Sequence, residues 1–202
     1  MNQNHLDFLA SPQWAQSLRT ELLPWLTAVT DLGDDVLEIG PGPGLTTDLL
    51  RQLAPSVTVV EIDPGLATAL ADRLVGTNVE VIQGDATTIA LPAERFTAAT
   101  CFSMLHHMPS AAAQDHLFAA LHRALRPGGT LAGVDSVDTE PIRQAHVDDT
   151  FTPLEAADLG RRLETAGFTG VSVTRASEFQ IRFTGRKPAS GLKTQTGPTS
   201  TV

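Results

Sequence analysis

Glycines, acidic residues or both stand at three points where short apolar runs end. Gly40, Gly42 and Gly44 follow the run "VLEI" within "VLEIGPGPGL", residues 36–45. Glu61 closes the run in "VVEIDP", and Asp85 follows the next run in "QGDAT". Glycines let a ligand approach the backbone, and carboxylates accept hydrogen bonds from hydroxyl and amine groups. Such a set suits a ligand that carries hydroxyls, an amine and a positive charge.

The glycine turn fits a dinucleotide poorly. The fingerprint G-x-G-x-x-G needs a third glycine, but Leu45 or Thr47 stands there in the two available registers. Glu38, two residues before the first glycine, would repel a pyrophosphate resting on a helix N-terminus. An acidic residue there favours a cationic ligand. A turn with a purely structural role is the alternative for the glycines.

The other two acidic positions fit parts of a nucleoside. Glu61 can accept hydrogen bonds from both hydroxyls of a ribose. Asp85 can accept from an exocyclic amine, and the Ala86 backbone N–H can serve a ring nitrogen. Taken alone, Asp85 is more typical of a turn residue. Asp63, directly before Pro64, is instead predicted to cap the next helix.

Histidines supply the candidates for acid–base chemistry. His106 and His107 lie in "SMLHHMP", after the fourth apolar run, and His146 lies in the connection after the fifth run, which also contains Asp135. Each histidine can serve as a general base, although a hydrogen-bonded loop residue is the simpler interpretation. Their spacing matches no metal-binding signature, so the sequence predicts no metal. His5 can join this set if the N-terminal segment closes over the site.

The elements that position these residues alternate along the chain. Runs of strand character lie at 36–40, 57–62, 79–83, 96–102, 130–136, 171–176 and 179–185. Helices are expected at 46–53, 64–74, 111–125 and 153–166, the last with Thr152 as N-cap and Gly167 as C-cap, and a shorter one at 86–91. Strands alternating with helices predict a doubly wound, mostly parallel α/β sheet of seven strands. Only Ser177 and Glu178 separate the last two runs, which predicts an antiparallel hairpin at the edge of the sheet.

Three segments divide the chain. Residues 1–30 are expected to form a helical cap over the open end of the sheet, with Ser11 as N-cap, Pro12 at the first helical position and Pro24 ending or kinking the helix. Residues 31–187 are expected to form the main domain. Residues 188–202 are rich in Ser, Thr, Gly and Pro and are expected to be disordered.

Composition limits the partners. The chain has 202 residues, and 14 basic against 23 acidic residues give a formal net charge of -9. Binding to a nucleic-acid backbone depends on Lys and Arg, so no nucleic-acid partner is expected. No apolar stretch is long enough for a membrane span, so no membrane partner is expected either. The single cysteine, Cys101, suits a reducing compartment, and the predicted location is the cytoplasm.

These motifs, together with "FTAATCFSMLHHM" and "LRPGGTL", resemble the class I S-adenosylmethionine-dependent methyltransferases, a family with a seven-stranded Rossmann-like fold. The resemblance runs from Asp31 to Lys187 and implies S-adenosyl-L-methionine as cofactor. It places the glycine turn at the methionine moiety, Glu61 at the ribose and Asp85 at the adenine amine. Thr97 departs from the pattern, because the family commonly has an acidic, structural residue there. The implied cofactor-binding residues are Glu38, Gly40, Pro41, Gly42, Gly44, Glu61, Ile62, Asp85, Ala86 and Ser103.

The resemblance implies transfer of a methyl group from S-adenosylmethionine to a small-molecule acceptor. His107, His106 and His146 are the candidate catalytic residues. Two alternatives stay open: a protein that binds S-adenosylmethionine without catalysis, and an NAD(P)-dependent oxidoreductase. The identity of the acceptor and the oligomeric state do not follow from the sequence.

Overall fold

A computed structural model describes residues 3–189, with side chains from residue 6 onward. Residues 190–202, which make up most of the expected disordered tail, lie outside the described residues, as does the side chain of His5. Within the described part of the chain, no helix is both long and apolar enough to cross a membrane.

The strands of residues 3–189 form one seven-stranded sheet in the order β3-β2-β1-β4-β5-β7-β6. The first five strands in this order, from β3 through β2, β1 and β4 to β5, pair in parallel with their neighbours. Strand β7 pairs antiparallel with both β5 and β6. The predicted doubly wound, mostly parallel fold with a terminal antiparallel hairpin is therefore confirmed. The strands are β1 (Asp35–Ile39), β2 (Ser56–Glu61), β3 (Val79–Gln83), β4 (Phe96–Phe102), β5 (Leu125–Ser136), β6 (Thr169–Arg175) and β7 (Gln180–Arg186).

Helices cover both faces of this sheet. Side chains alternate along each strand, so Val36 faces the opposite side from Leu37 and Ile39. One apolar cluster joins the sheet to helices that follow β4 and β5; the other joins it to the N-terminal helices and those that follow β1 and β2. The helices are α1 (Gln3–Leu9), α2 (Pro12–Ser17), α3 (Leu23–Val29), α4 (Leu45–Leu53), α5 (Pro64–Arg73), α6 (Ala111–Ala124), α7 (Glu140–Ala145) and α8 (Ala156–Thr165).

The N-terminal helices pack on the sheet as one run. Ser11 caps α2 by accepting a hydrogen bond from the Trp14 backbone N–H at 3.1 Å, as predicted. Leu18 and Leu26 are buried in the cluster that contains Phe102 of β4. Pro24 does not end the run. Proline has no backbone N–H to donate within a helix. The π-helical turn Leu18–Leu22 directly before α3 accommodates the missing donor, so the helical run continues past Pro24.

Two local predictions are wrong. Residues 86–91 form turns instead of a helix. The Asp85 carbonyl accepts hydrogen bonds from the backbone N–H groups of Thr88 and Ile89, as in one helical turn, but the Leu91 N–H donates to the Ile89 carbonyl and the helix is not continued. Helix α8 begins at Ala156, with Glu155 rather than Thr152 at its N-cap. The Thr152 backbone N–H instead donates to the His106 carbonyl at 2.7 Å, which keeps this segment extended.

Thr97 has a structural role in this fold. Its hydroxyl group donates to the Leu32 carbonyl at 2.6 Å and accepts from the Asp35 backbone N–H at 3.0 Å. These bonds hold the chain that enters β1 against β4. A hydroxyl therefore supplies the connection at the position where the family commonly has an acidic residue.

Candidate functional site

The glycine turn lies at the carboxyl end of β1, in the crevice where ligands bind to open parallel sheets. Gly42 has φ of +54°, and a Cβ atom built on it would meet nothing within 4 Å. Gly44 has φ of +83° and its missing Cβ would lie 2.4 Å from Leu70 Cδ1. The turn therefore stays open above Gly42 and packs tightly against α5 below Gly44.

Glu61, at the end of β2, holds this turn in place. Its carboxylate accepts hydrogen bonds from the Gly42 backbone N–H at 3.0 Å and from the Asp63 backbone N–H at 2.9 Å. The side chain is 4% exposed. A carboxylate has about four acceptor positions, so these two bonds leave capacity for a ligand's hydroxyl groups. Asp63 caps α5 through Gly65 and Leu66, as predicted.

Asp85 follows β3 and shapes the third side of the site. Its Oδ1 atom accepts from the Thr87 backbone N–H at 2.8 Å and from the Thr87 hydroxyl at 2.7 Å. This is the Asx turn that the residue type favours. The Gly84 backbone N–H also donates to the Glu61 carbonyl at 2.9 Å, which fixes the ends of β2 and β3 relative to each other.

A cavity of about 170 Å³ lies between these strand ends and the loop after β4. That volume is far above the ~10–15 Å³ that a single water requires. Five of the predicted cofactor-binding residues share its wall with the candidate base His107 and with Met104, Met108 and Pro109 of the same loop; the five are Gly40, Glu61, Ile62, Asp85 and Ala86. The wall is mostly apolar, with its carboxylates at one side, an arrangement typical of a small-molecule site.

Pro41 and Ser103 lie on the other side of the glycine turn. Both border a smaller cavity beneath Leu9 and Trp14 of the N-terminal helices, and Gly40 borders both cavities. Ser103, directly after β4, has φ of +52°, a strained conformation for a residue with a side chain. Backbone strain of this kind is concentrated at functional sites.

Glu38 is buried beneath the turn and does not border either cavity. It is 1% exposed and accepts hydrogen bonds from the hydroxyls of Thr46 and Thr47, the latter at 2.6 Å. Burial raises the pKa of this carboxyl to about 7 despite the two hydroxyl donors. A cation bound at the turn would favour the ionised form. Its contact with a ligand, predicted from the sequence, therefore stays a prediction.

The three histidines form a cluster beside the cavity. His106 and His107 belong to a short 3-10 turn, Leu105–His107, and their ring centroids lie 4.2 Å apart. His146 follows α7, and its ring centroid lies 4.9 Å from that of His106 and 5.1 Å from that of His107. Of the three, only His107 borders the cavity. Phe151 stacks on His146 at 4.7 Å and covers the cluster.

Gln114, which the sequence analysis missed, supports the histidine turn. Its amide nitrogen donates to the Leu105 carbonyl at 3.0 Å and to the Thr152 carbonyl at 2.9 Å, and its oxygen accepts from Arg162 at 2.8 Å. The signal was present in the sequence, because Gln114 lies three residues before Leu117 on the buried face of α6. A polar residue at such a position indicates a specific hydrogen-bonding role.

Comparison with known proteins relates this site to a family. Residues 37–133 match the family model of the methyltransferase domain. A segment of 63 residues is 51% identical to a probable ribosomal RNA small subunit methyltransferase A of Natronomonas pharaonis, covering 29% of this chain and 23% of that protein. A segment of 113 residues is 33% identical to a ubiquinone biosynthesis O-methyltransferase of Xanthomonas oryzae pv. oryzae, covering 54% of this chain and 46% of that protein.

A solved structure extends the likeness over most of the chain. An S-adenosylmethionine-dependent methyltransferase from Aquifex aeolicus superposes with a TM-score of 0.71 at 18% identity, covering 92% of this chain and 98% of that one. At this identity the likeness establishes the fold. The chain thus spans less than half the length of the two curated relatives, but nearly the whole of this solved structure.

Proposed function

Because this chain carries a methyltransferase domain and belongs to the class I S-adenosylmethionine-dependent family, we propose that it transfers a methyl group from S-adenosyl-L-methionine to a small-molecule acceptor. The observation that carries the proposal is the cavity at the ends of β1, β2 and β3, which Gly40, Glu61 and Asp85 border together.

The proposed donor fits the chemistry of this wall. The two ribose hydroxyls can donate to the acceptor positions that remain on Glu61, and the adenine amine can donate to Asp85. Ile62 and Ala86 provide apolar contact for the two faces of the ring. The methionine moiety would then lie over Gly40 and the open backbone at Gly42. S-adenosylmethionine contains no phosphate group, so the two carboxylates on the cavity wall would not repel it.

The rate of methyl transfer depends mainly on how well the enzyme aligns the donor with the acceptor. Methyl transfer from a sulfonium is an in-line displacement, in which the acceptor's electron pair forms the new bond to carbon while the old carbon–sulfur pair stays on sulfur. Holding both reactants in line can supply an effective molarity of about 10⁵ M or more. His107 borders the cavity and is the candidate base for an acceptor that must lose a proton. His106 is fully buried against Asp135 and is better suited to positioning its neighbours.

A small molecule is favoured over RNA as the acceptor. The chain carries a formal net charge of -9, which repels a phosphate backbone. The similarity to a ribosomal RNA methyltransferase, which covers 29% of this chain, is the observation that favours RNA as the acceptor. Within the described residues, Phe151 stacks on His146 and covers the histidine cluster. A buried histidine cluster beside the donor cavity favours a catalytic role over mere storage of the donor.

The test is calorimetric titration of the purified protein with S-adenosylmethionine, S-adenosylhomocysteine and NADH. The variants are Glu61→Gln and Asp85→Asn, with Asp72→Asn as a control at an exposed position of α5. We expect both adenosyl ligands to bind, both site variants to weaken that binding, and the control to behave as the wild type. Binding of NADH alone would overturn the proposal in favour of an oxidoreductase.

A second measurement separates the acceptor classes. Methyl transfer from labelled S-adenosylmethionine is followed with a set of phenols, amines and carboxylates and, separately, with total RNA. Incorporation into a small molecule supports the proposal. Incorporation into RNA alone would overturn the choice of acceptor and leave the donor assignment intact, and incorporation into neither, with the donor bound, would favour a non-catalytic binding protein.

A further inference from the structure

Three imidazoles converge from two distant segments of the chain. One ring nitrogen from each of His106, His107 and His146 lies within 4.8 Å of those of the other two. His106 and His146 are buried, and His107 is half-buried at the cavity wall. We propose that these three histidines bind a divalent transition-metal ion, for which Zn²⁺ is the ion of choice.

Hydrogen bonds set the tautomers that a metal site requires. His146 Nδ1 lies 2.7 Å from the Ile142 carbonyl oxygen, which can only accept, so Nδ1 carries the proton and Nε2 carries the lone pair. His106 Nδ1 lies 2.5 Å from Asp135 Oδ1 and donates to that carboxylate in the same way. A metal-binding histidine usually donates its other N–H to a carboxylate or a backbone carbonyl. The partner of His106 is such a carboxylate, and the partner of His146 is such a backbone carbonyl.

The third histidine also has a carboxylate close by. His107 Nδ1 lies 3.7 Å from Asp149 Oδ2. Asp135 and Asp149 together bring two negative charges to the surroundings of the cluster, enough to compensate a divalent cation. Neutral imidazole nitrogens are good ligands for zinc and for ferrous, nickel and copper ions.

The supports of the cluster are rigid. The Asp135 carboxylate accepts from the backbone N–H groups of Leu105 at 2.8 Å and Ser136 at 2.7 Å, so it is fixed between β5 and the histidine turn. Gln114 holds the carbonyl at the start of that turn at 3.0 Å. The groups that support the histidines are therefore fixed, and binding of an ion would require movement of the imidazole rings alone.

The separation of the nitrogens is close to what zinc needs. Zinc–nitrogen bonds of ~2.0–2.1 Å in a tetrahedron place two nitrogens about 3.3 Å apart. The separation of at most 4.8 Å therefore requires the rings to close by no more than about 1.5 Å, a movement that small side-chain rotations supply. The sequence prediction of no metal rested on spacing, and it could not register ligands that lie in two separate segments.

Three protein ligands leave one position of a zinc tetrahedron for another group. Because His107 borders the donor cavity, a hydroxyl oxygen of the acceptor bound at that position would face the methyl donor. The ion would then activate the hydroxyl group in place of His107, which cannot act as a base while it binds the metal. The acceptor would then belong to the class of metal-binding phenols or enols. This second consequence rests on the proposed function, whereas metal binding itself does not.

Metal binding can be measured without any assay of activity. Tag-free full-length protein is stripped with a chelator and titrated with ZnCl₂ by calorimetry, and with CoCl₂ by visible absorption. We expect one equivalent of either ion and the visible bands of nitrogen-ligated Co²⁺. His146→Asn and His107→Asn should each weaken zinc binding by about 100-fold or more, since even loss of a residue that hydrogen-bonds to a metal ligand costs roughly 10–100-fold.

Controls separate ligation from folding. His116→Asn changes an exposed histidine of α6 and should bind zinc as the wild type does. Zinc should also raise the melting temperature of the wild type and of His116→Asn, but not of the two ligand variants. Substoichiometric binding to the wild type, or equal affinity in all four proteins, would overturn the metal site.

Titration of the same samples with S-adenosylhomocysteine distinguishes the two proposals. Adenosyl binding without zinc binding would overturn the metal site alone. Zinc binding without adenosyl binding would support the metal site and overturn the proposed function.

Discussion

Replacing Glu61 with glutamine tests how the donor cavity is built. The Glu61 carboxylate accepts from the backbone N–H groups of Gly42 and Asp63 at 3.0 and 2.9 Å. A glutamine of the same size offers one oxygen, so one of these N–H groups must face an amide NH₂ that cannot accept. The Glu61 side chain is nearly fully buried, so bulk solvent does not readily replace the lost acceptor.

The expected loss of stability follows from that bond. A hydrogen bond to a charged group contributes about 1.5–3 kcal/mol to the free energy of unfolding. For a domain of this size each kcal/mol corresponds to roughly 2–4 °C in melting temperature, so thermal unfolding of Glu61→Gln should occur about 3–12 °C below the wild type. Glu164→Gln, at an exposed position of α8, is the control and should melt within about 1 °C of the wild type.

Binding of the donor should fall as well. If each ribose hydroxyl donates to the Glu61 carboxylate, loss of one charge-assisted bond costs about 1.5–3 kcal/mol, which is ~10–150-fold in the dissociation constant of S-adenosylhomocysteine. The assay is calorimetry at a temperature at which both proteins are folded. An unchanged melting temperature would refute the structural argument, and unchanged affinity in a folded variant would refute the role of Glu61 at the ribose.

Three further predictions concern buried groups. The pKa of Glu38 is raised from 4.5 to about 7, so between these pH values the folded state binds a proton that the unfolded state releases. The wild type should therefore lose about 3 kcal/mol of stability relative to Glu38→Gln as the pH rises from 4.5 to 7. Urea unfolding of both proteins across this range measures the difference, and parallel stability profiles would contradict the prediction. Gly44→Ala should destabilise the protein by at least 1 kcal/mol more than Gly76→Ala. Both glycines have positive φ, but only at Gly44 would the new Cβ collide with a neighbour, 2.4 Å from Leu70. Equal losses of stability in urea unfolding would show that the turn relaxes. Burial raises the pKa of the Cys101 thiol, so the native protein should react with a thiol reagent only as fast as it unfolds; rapid labelling under native conditions would show that β4 is open to solvent.

Much of the fold could be predicted because its signals are local. The alternating runs that predict β3 and β4 match the observed strands residue for residue. Asp63 and Pro64 predict the start of α5, and Ser11 that of α2, because a helix N-terminus depends on one side chain and its nearest backbone groups. The parallel order of the strands then brings Gly40, Glu61 and Asp85 to one edge, since carboxyl ends of parallel strands lie together.

The wrong predictions arose where distant contacts override local preference. Thr152 and Pro153 resemble a helix start, but the bond from Thr152 to the His106 carbonyl, 46 residues away in sequence, keeps the chain extended. Residues 86–91 contain helix-compatible apolar spacing, yet Leu91 and Ala86 are drawn separately into the core and the chain forms turns around Asp85. Neither contact leaves a trace in the local pattern.

The sequence by itself determined the α/β class, the glycine turn and the acidic residues at the strand ends, because strand period, helix caps and turn chemistry act over a few residues. Only the tertiary structure decided that β7 lies between β5 and β6, and that His106, His107 and His146 meet beside the cavity. The physical reason is the same in both cases. The pairing of β7 with β5 and the packing of Phe151 over the histidines depend on which surfaces are buried together, and that is a property of the folded chain as a whole.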